Sequence, residues 1–149
     1  MNYEEMKNIM ELLFRAVREK NGSLIEKYVA ENIKWHDGCY GENGSDVILN
    51  WSKQDFMKVI LNNGCFGFEK EKNINFQIAE GDKVFSHITY EGVFDKGNIY
   101  VYPPNSKKVR FNALYTTRFE NGLIVEMWVT LEGATILHQI GAVKLIWTY

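Results

Sequence analysis

The chain contains few of the features that mark disulfide-rich, secreted or membrane proteins. Its 149 residues include only two cysteines and two prolines. Cys39 and Cys65 lie far apart without CxxC spacing, so we expect two free thiols rather than a disulfide framework. No apolar run reaches the roughly 18 residues of a membrane span, and the N-terminus carries acids where a signal peptide carries positive charge. These absences predict a soluble, cytoplasmic protein.

An excess of charge of one sign is also lacking. The 17 basic and 19 acidic residues are interspersed and leave a net charge of −2, so no basic surface is expected for nucleic acid or an anionic membrane. The sequence shows no metal-ligand spacing, no glycine-rich loop after a strand and no Gly-x-Ser-x-Gly elbow. We therefore expect no metal, no cofactor, and no nucleic-acid or membrane partner.

The sequence does have enough apolar residues for one well-formed core. Hydrophobic residues make up 46% of the chain and aromatic residues 14%. A chain of this length forms one domain, which we predict over residues 1–149. The aromatic share exceeds what a minimal core needs, so some of these side chains could line a cavity.

Apolar spacing and capping residues predict four helical segments. These are residues 3–20, a short helix opened by a capping box of Ser23 and Glu26, a helix capped by Ser52 and Asp55, and residues 134–140 before Gly141.

A pattern with a period of two residues follows the third helix and predicts three or four long strands, at residues 72–80, 83–94, 107–120 and 123–131. Residues 33–37 form a short extended stretch, and residues 38–52 are expected to be an irregular loop anchored by Leu49 and Trp51. Helices followed by a run of strands indicate an α+β fold in which helices pack on one face of a curved antiparallel sheet.

The apolar rows of the last two strands predict how the strands pair. A two-residue turn at Asn121-Gly122 would place the two rows on opposite faces of the sheet. A three-residue loop ending at Gly122 instead pairs Tyr115 with Met127 and Ala113 with Val129 on one inner face. We predict this second register.

The same register predicts the outer face of the sheet. It sets Leu114 opposite Trp128, an apolar pair with a polar rim that is typical of a dimer interface. It also sets Glu132 opposite Arg110, where Glu132 would form a surface ion pair or favour the N-terminus of the last helix.

Three stretches, "LFRAVREKNGSLIEKYVAENIKWHDG", "TTRFENGLIVEMW" and "ILHQIGAV", resemble in order and spacing the SnoaL-like polyketide cyclases of the nuclear-transport-factor-2-like superfamily. The resemblance implies a cone-shaped α+β barrel whose curved antiparallel sheet wraps around the N-terminal helices and encloses a pocket. It also implies a homodimer through the outer sheet face. The family closes rings by aldol condensation without metal or cofactor: a pocket carboxylate removes a proton beside a carbonyl, and polar neighbours stabilise the enolate oxygen.

The resemblance also implies that the catalytic positions of the family are occupied by other residues here. Aligned on the Asn-Gly turn and on "QIG", the catalytic aspartate falls at Val129, and its His and Gln neighbours fall at Tyr115 and Ala113. A polar residue that follows the second helix falls at Trp35. Loss of a general base alone costs about 10²–10⁴-fold in rate, so cyclase chemistry would need a base elsewhere.

Two functions remain from the sequence. The first is a protein that binds a small hydrophobic or aromatic molecule, although the same side chains could equally be core filling. Its ligand-binding candidates are Trp35, Trp51, Tyr90, Ala113, Tyr115, Met127 and Val129.

The alternative is a cofactor-independent cyclase or isomerase with a relocated base. Its catalytic candidates are His36, Asp37 and Tyr115, because an imidazole or a carboxylate in a pocket can remove a proton near neutral pH. His87 and His138 are expected at the surface.

Overall fold

The computed structural model describes residues 1–38, 47–63, 66 and 70–146. Cys39 and Cys65, predicted to be free thiols, lie outside the described residues. The elements are, in chain order, α1 (Tyr3–Glu19), β1 (Val29–Asp37), β2 (Val47–Ser52), α2 (Lys53–Asn63), β3 (Lys70–Glu80), β4 (Lys83–Val93), β5 (Lys108–Glu120), β6 (Leu123–Leu131) and α3 (Gly133–Gln139).

The first helix forms as its apolar spacing predicts. Its N-terminus is fixed by a capping box, in which the Asn2 side chain accepts from the Glu5 backbone N–H at 2.9 Å and Glu5 accepts from the Asn2 backbone N–H at 2.8 Å. Lys20 adopts the left-handed conformation that ends the helix. The apolar side of α1, which includes Met10 and Phe14, is buried in the core.

The predicted second α-helix is wrong. Two 3₁₀ turns, Gly22–Leu24 and Glu26–Tyr28, occupy this segment instead. The Asn21 side chain accepts from the backbone N–H of Ser23 at 3.2 Å, so Asn21 rather than Ser23 caps the first turn. Because β1 already begins at Val29, the segment is too short for an α-helix.

The third predicted helix is confirmed as α2. The Ser52 hydroxyl accepts from the Asp55 backbone N–H at 3.1 Å, as the capping residues indicated. The end of the predicted 38–52 loop is instead strand β2. Its alternation of half-buried Val47, Leu49 and Trp51 with exposed residues is the period-two signal of a strand.

The six strands form one curved, open sheet in the order β2-β1-β6-β5-β4-β3. The α+β cone architecture is therefore confirmed, with one correction to the expected antiparallel sheet. Strand β1 pairs with β6 in parallel. The last strand thus lies beside the first, and both are interior strands because β2 and β3 form the two edges of the sheet.

The register predicted for the β5–β6 hairpin is wrong. The turn has two residues, Asn121 and Gly122, both with positive φ (49° and 81°), as a type I′ hairpin requires. The pairing then shifts by one residue, because Val125 is an extra residue in β6. This β-bulge places the apolar rows of β5 and β6 on the same face of the sheet. The three-residue loop was predicted because it met the same condition. Tyr115 consequently pairs with Val129, and Ala113 with Leu131.

The last helix is attached to the beginning of β5 through side chains. Gln139 accepts from the Arg110 backbone N–H at 2.8 Å and donates to the Arg110 carbonyl at 2.7 Å, so its amide acts like a short piece of neighbouring strand. Glu132 is exposed and accepts from the Asn112 backbone N–H at 2.8 Å and the Asn112 side chain at 3.0 Å. Its partner is therefore Asn112 rather than the predicted Arg110, and it does not cap α3 with its side chain.

The two faces of the sheet differ in what covers them. The inner face, which carries Trp35, Tyr115 and Met127, packs against α1 and α2 and encloses the core. The outer face carries a half-buried ionic group that we call the Glu126 cluster, composed of Lys34, His36, Arg118, Glu126 and Trp128.

Glu126 is the centre of this cluster. Its carboxylate accepts from His36 Nε2 at 2.7 Å and from Arg118 Nε at 2.9 Å, and Lys34 Nζ lies 3.8 Å away. The Trp128 ring stacks on the His36 ring with centroids 4.7 Å apart. Three basic side chains thus surround one carboxylate that is only 9% exposed.

The surroundings of Glu126 control its charge. Burial alone raises the pKa of its carboxyl, but hydrogen bonds from His36 and Arg118 and the charges of Arg118 and Lys34 outweigh that effect. Its pKa therefore lies below the ordinary value. The hydrogen bond to Glu126 in turn raises the pKa of the Arg118 guanidinium.

Glu126→Gln is expected to lower the free energy of unfolding by about 1–3 kcal/mol at neutral pH, because Arg118 and His36 lose an ionic partner. A carboxyl with a depressed folded-state pKa stabilises the fold above its unfolded pKa of about 4.3, and this contribution is lost as the pH falls through the folded value. Urea unfolding across this acid range should therefore show the native chain and the variant converging.

Glu120→Gln is the matched control, because Glu120 also contacts Arg118, at 3.3 Å, but is exposed. Its cost should stay below about 1 kcal/mol. An equal loss in both variants, or a gap between native chain and Glu126→Gln that does not change with pH, would contradict this account of the cluster.

Candidate functional site

A small cavity lies between the inner face of the sheet and the two N-terminal helices. Its volume is about 40 Å³, enough for a few water molecules. Four strands and both helices contribute to its wall. The described lining residues are Leu13, Phe14 and Val17 of α1, Phe56 and Ile60 of α2, Trp35 of β1, Tyr90 of β4, Tyr115 of β5 and Met127 of β6.

Four of the predicted ligand-binding residues line this cavity: Trp35, Tyr90, Tyr115 and Met127. Each lies on a different strand, and strand alternation directs all four side chains to the inner face. The sheet thus brings together residues that are up to 92 positions apart in the sequence.

The other three predicted ligand-binding residues lie behind or beside the lining. Trp51 stacks on Trp35 with ring centroids 5.3 Å apart and supports it from β2. Val129 pairs with Tyr115 across β5 and β6, and Ala113 pairs with Leu131 and with Ile88 of β4. Ala113 and Val129 are buried, so both belong to the apolar inner face.

The sequence interpretation missed the residues that the helices contribute. Leu13, Phe14, Val17, Phe56 and Ile60 were recognised only as apolar helix positions, because helical periodicity separates the buried side of a helix from the exposed side without showing what it faces. Phe14 packs against Tyr115 with centroids 5.4 Å apart, and Phe56 packs against Trp35 at 6.2 Å. The helices therefore hold both aromatic side chains in place.

Two hydroxyls supply polarity to the described lining. The Tyr90 and Tyr115 phenol oxygens are 3.4 Å apart, and both residues are buried. The Trp35 indole N–H is a further donor on a lining residue. The remaining lining side chains are apolar, so a ligand in this cavity would be held mainly by packing.

His36, predicted as a relocated base, lies on the opposite face of the sheet from the cavity. It follows Trp35 in β1, and successive strand residues point to opposite faces. Its Nε2 atom donates to Glu126, which accepts at 2.7 Å, and its ring lies against Trp128. His36 is therefore part of the Glu126 cluster and is separated from the cavity by the sheet.

Asp37, the second relocated candidate, shares the inner face with Trp35 because it lies two residues further along β1. It is half-buried, and in the parallel pairing it stands beside Val129. The pairing continues one residue beyond β1, where the Gly38 backbone N–H donates to the Val129 carbonyl at 3.2 Å. A carboxylate is thus placed on the strand next to the position where the resemblance put the catalytic aspartate.

The two remaining histidines lie away from the cavity, as predicted. His87 is on the outer face, where Nδ1 accepts from the Asn75 side chain at 2.6 Å and the ring stacks on Phe76. His138 is exposed near the end of α3. Within the described ranges, no three His, Cys, Asp or Glu side chains are grouped so as to hold a metal ion. No helix described here is both long and apolar enough to cross a membrane.

Several solved structures share this fold. AclR of Streptomyces galilaeus, assigned as a hydroxylase, superposes with a TM-score of 0.73 at 20% identity, over 97% of this chain and 90% of its own. IdmH of Streptomyces antibioticus, assigned as a polyketide cyclase, gives 0.71 at 20% identity, over 91% of this chain and 97% of its own. An NTF2-like protein of Cytophaga hutchinsonii gives 0.58 at 14% identity, over 86% and 90%. At these identities the likeness establishes the fold alone.

Sequence comparison identifies the family of the chain. No curated protein matches the chain. The family of SnoaL-like polyketide cyclases matches it over residues 8–140, which includes most of α1 together with α2, the whole sheet and α3. The chain therefore belongs to the SnoaL-like polyketide cyclase family.

Proposed function

We propose that the protein binds a small, mainly apolar or aromatic molecule in the cavity between α1, α2 and the inner face of the sheet. The observation that carries this proposal is the lining itself, in which aromatic and aliphatic side chains from six elements surround two phenol hydroxyls. Apolar walls with a few polar groups are typical of small-molecule sites. Valine at position 129, where the resemblance places the family's aspartate, favours binding without the family's proton transfer.

A ring compound fits into this cavity only if side chains of its lining move. An apolar cavity of roughly 150 Å³ accepts a benzene ring, whereas this cavity measures about 40 Å³. Met127 and Leu13 are the flexible lining side chains best able to yield, because neither has a polar contact to lose. A ligand would therefore enter by displacing side chains of α1 and β6 rather than by filling a ready space.

Indane, a bicyclic hydrocarbon, is a suitable first probe. We expect its binding to change the fluorescence of Trp35, because Trp35 lines the cavity and Trp128 lies on the other face of the sheet. Titration should give the same emission change in Trp128→Phe as in the native chain and a much smaller change in Trp35→Phe. No saturable change in the native chain, or a change that depends on Trp128, would refute binding at this site.

The second candidate function is a cofactor-independent cyclase or isomerase that uses Asp37 as the relocated base. It is favoured by one observation, the position of Asp37 beside Val129 on the inner face. In this reaction the Asp37 carboxylate would take a proton from a carbon between two carbonyls, leaving an enolate, and would return a proton from solvent to the same carbon. Its companion candidate His36 faces away from the cavity, so Asp37 is the base that we retain.

Deuterium exchange into acetylacetone, followed by NMR, tests this candidate. If Asp37 is the base, Asp37→Asn should slow enzyme-dependent exchange by about 10²–10⁴-fold. Asp95→Asn, an exposed loop substitution of the same kind, should leave exchange unchanged. Exchange that is absent from the native chain but appears in Val129→Asp would instead identify a binding protein whose scaffold has lost the acid.

A homodimer through the outer face of the sheet is also part of the proposal. One side chain from each strand forms a continuous row across this face, consisting of Ile78, Phe85, Thr116, Trp128, His36 and Ile48. Ile48 and Ile78 are 51% and 59% exposed, and half-buried Leu114 lies in the next row. An apolar surface rimmed by charged groups fits an interface between two copies better than open solvent.

Sedimentation velocity over a range of protein concentrations tests the dimer. Leu114→Glu should weaken association at least about tenfold, since an unpaired carboxylate would be buried in the interface. Val101→Glu, at an 82% exposed loop position, should have no effect. A native chain that stays monomeric, or equal association of both variants, would contradict an interface at this face.

A further inference from the structure

The two helices that cover the cavity are not attached equally to the rest of the chain. Six apolar side chains of α1 are buried along its length. Among the described side chains of α2, only Phe56 and Ile60 are buried, and both line the cavity. Because packing free energy scales with the apolar surface removed from water, α2 is the more weakly attached helix. Outward movement of α2 would also widen the cavity directly, since its two buried side chains form part of the wall.

The sheet is a poorer route into the cavity. The four strand residues of the lining lie on β1, β4, β5 and β6, and each of these strands has a hydrogen-bonded neighbour on both sides. Separating two of these strands would break a row of backbone hydrogen bonds, whereas the body of α2 is attached to the sheet through side-chain packing. Rearrangement of Leu13 and Met127 makes room inside the cavity, and movement of α2 would give access to that room from the surface.

The N-terminal end of α2 is fixed to the sheet. Ser52, the residue before the helix, pairs with Asn32 of β1, and its hydroxyl accepts from the Asp55 backbone N–H at 3.1 Å. Lys53 forms an ion pair with Glu31 of β1 at 2.9 Å. This end can therefore act as the hinge of a movement that displaces the other end of α2.

The C-terminal end of α2 is held by the residue that ends α1. Lys20 Nζ donates to the Asn62 carbonyl at 3.1 Å. This carbonyl belongs to the last turn of α2, where carbonyl groups lack partners within the helix and where the helix dipole favours a positive charge. The contact is exposed, so it contributes little to the stability of the fold and can break without unfolding the chain.

The turn that follows α1 packs directly on the same end of α2. A Cβ atom on Gly22 would lie 3.0 Å from Leu61 Cδ1 and 3.2 Å from Met57 Cε, so the glycine allows a close approach. Leu61 and Met57 are half-buried, as is Val17, which lines the cavity on the α1 side. The contacts between this turn and α2 are thus made by the ends of flexible apolar side chains, which can move without loss of a hydrogen bond.

We propose that α2 is a lid over the cavity, hinged at Ser52 and Lys53 and held shut by the hydrogen bond from Lys20 to Asn62. A ring compound enters between the C-terminal ends of α1 and α2 when this bond breaks. This inference rests on the proposed binding of an apolar molecule in the cavity, and it adds how that molecule reaches a cavity of only about 40 Å³. Because the closed lid has the same hydrogen bond with or without a ligand, the bond sets the speed of exchange rather than the affinity.

Lys20→Met tests the hydrogen bond, because it removes the ammonium and keeps the aliphatic stem. Stopped-flow mixing with indane, followed through Trp35 fluorescence, should show association and dissociation that are both about 2- to 10-fold faster, with an unchanged Kd. Lys58→Met, at an exposed position in the middle of α2, is the matched control and should leave both rates unchanged. Unchanged rates in Lys20→Met, or a changed affinity at a constant association rate, would overturn the role of Lys20.

A reversible disulfide tests the lid itself. Gly22→Cys and Leu61→Cys, combined with Cys39→Ser and Cys65→Ser, place two thiols across the contact between the turn and α2. Oxidation, verified by mass spectrometry, should slow the association of indane at least about tenfold, because the C-terminal end of α2 can no longer move away from the turn. Addition of a reductant should restore the rate, so the reduced form of the same chain is the matched control.

The possible results separate this inference from the binding proposal on which it rests. If the oxidised chain binds indane as fast as the reduced chain, the ring enters elsewhere, and the lid is refuted while binding in the cavity stands. A native chain that shows no saturable binding of indane would refute both proposals.

Discussion

Strand β6 hydrogen-bonds to β5 on one side and to β1 on the other, so its register decides which face every candidate residue occupies. The extra residue at Val125 sets that register. With the bulge in place, Met127 and Val129 face the helices, while Glu126 and Trp128 face outward. Without it, the part of β6 beyond the turn would present its polar row to the core, and a buried carboxylate without its basic partners would cost several kcal/mol. The cavity and the Glu126 cluster both depend on this single insertion.

The parallel pairing of β1 with β6 divides neighbouring residues of the "WHD" stretch between two environments. Trp35 contributes to the cavity wall, His36 joins Glu126 on the outer face, and Asp37 returns to the inner face beside Val129. The outer face thus concentrates ionic and aromatic contacts, whereas the described lining of the cavity is apolar apart from its two phenols and the Trp35 indole N–H. In a site of this composition, packing against the apolar lining selects the shape of a ligand, and the few polar atoms fix its orientation.

The particular successes and failures of sequence interpretation have identifiable physical causes. Long periodic segments such as α1, β5 and β6 were predicted within about two residues, because their apolar periods are unambiguous and their ends carry capping or turn residues. Strand β2 was missed because it is short and follows a stretch rich in Gly, Asn and Ser. The hairpin register failed because a bulge leaves no local mark in the sequence, although it preserves the rule that both apolar rows share one face. Tyr115 and Met127 were identified because their strands could be assigned an inward row of side chains, whereas Trp35 was identified from the position that the family resemblance gave it.

The sequence by itself determined the family, the α+β class, the places of most helices and strands, and the apolar character of the inner face. These are local or additive properties, carried by residue periodicity and by motifs that persist along most of the chain. Only the tertiary structure decided that His36 faces away from the cavity, that Asp37 stands beside Val129, and that the hydroxyls of Tyr90 and Tyr115 meet. Each of these depends on pairing between strands distant in sequence or on the lean of a ring against its neighbours, and a one-residue shift in register reverses the face of every side chain.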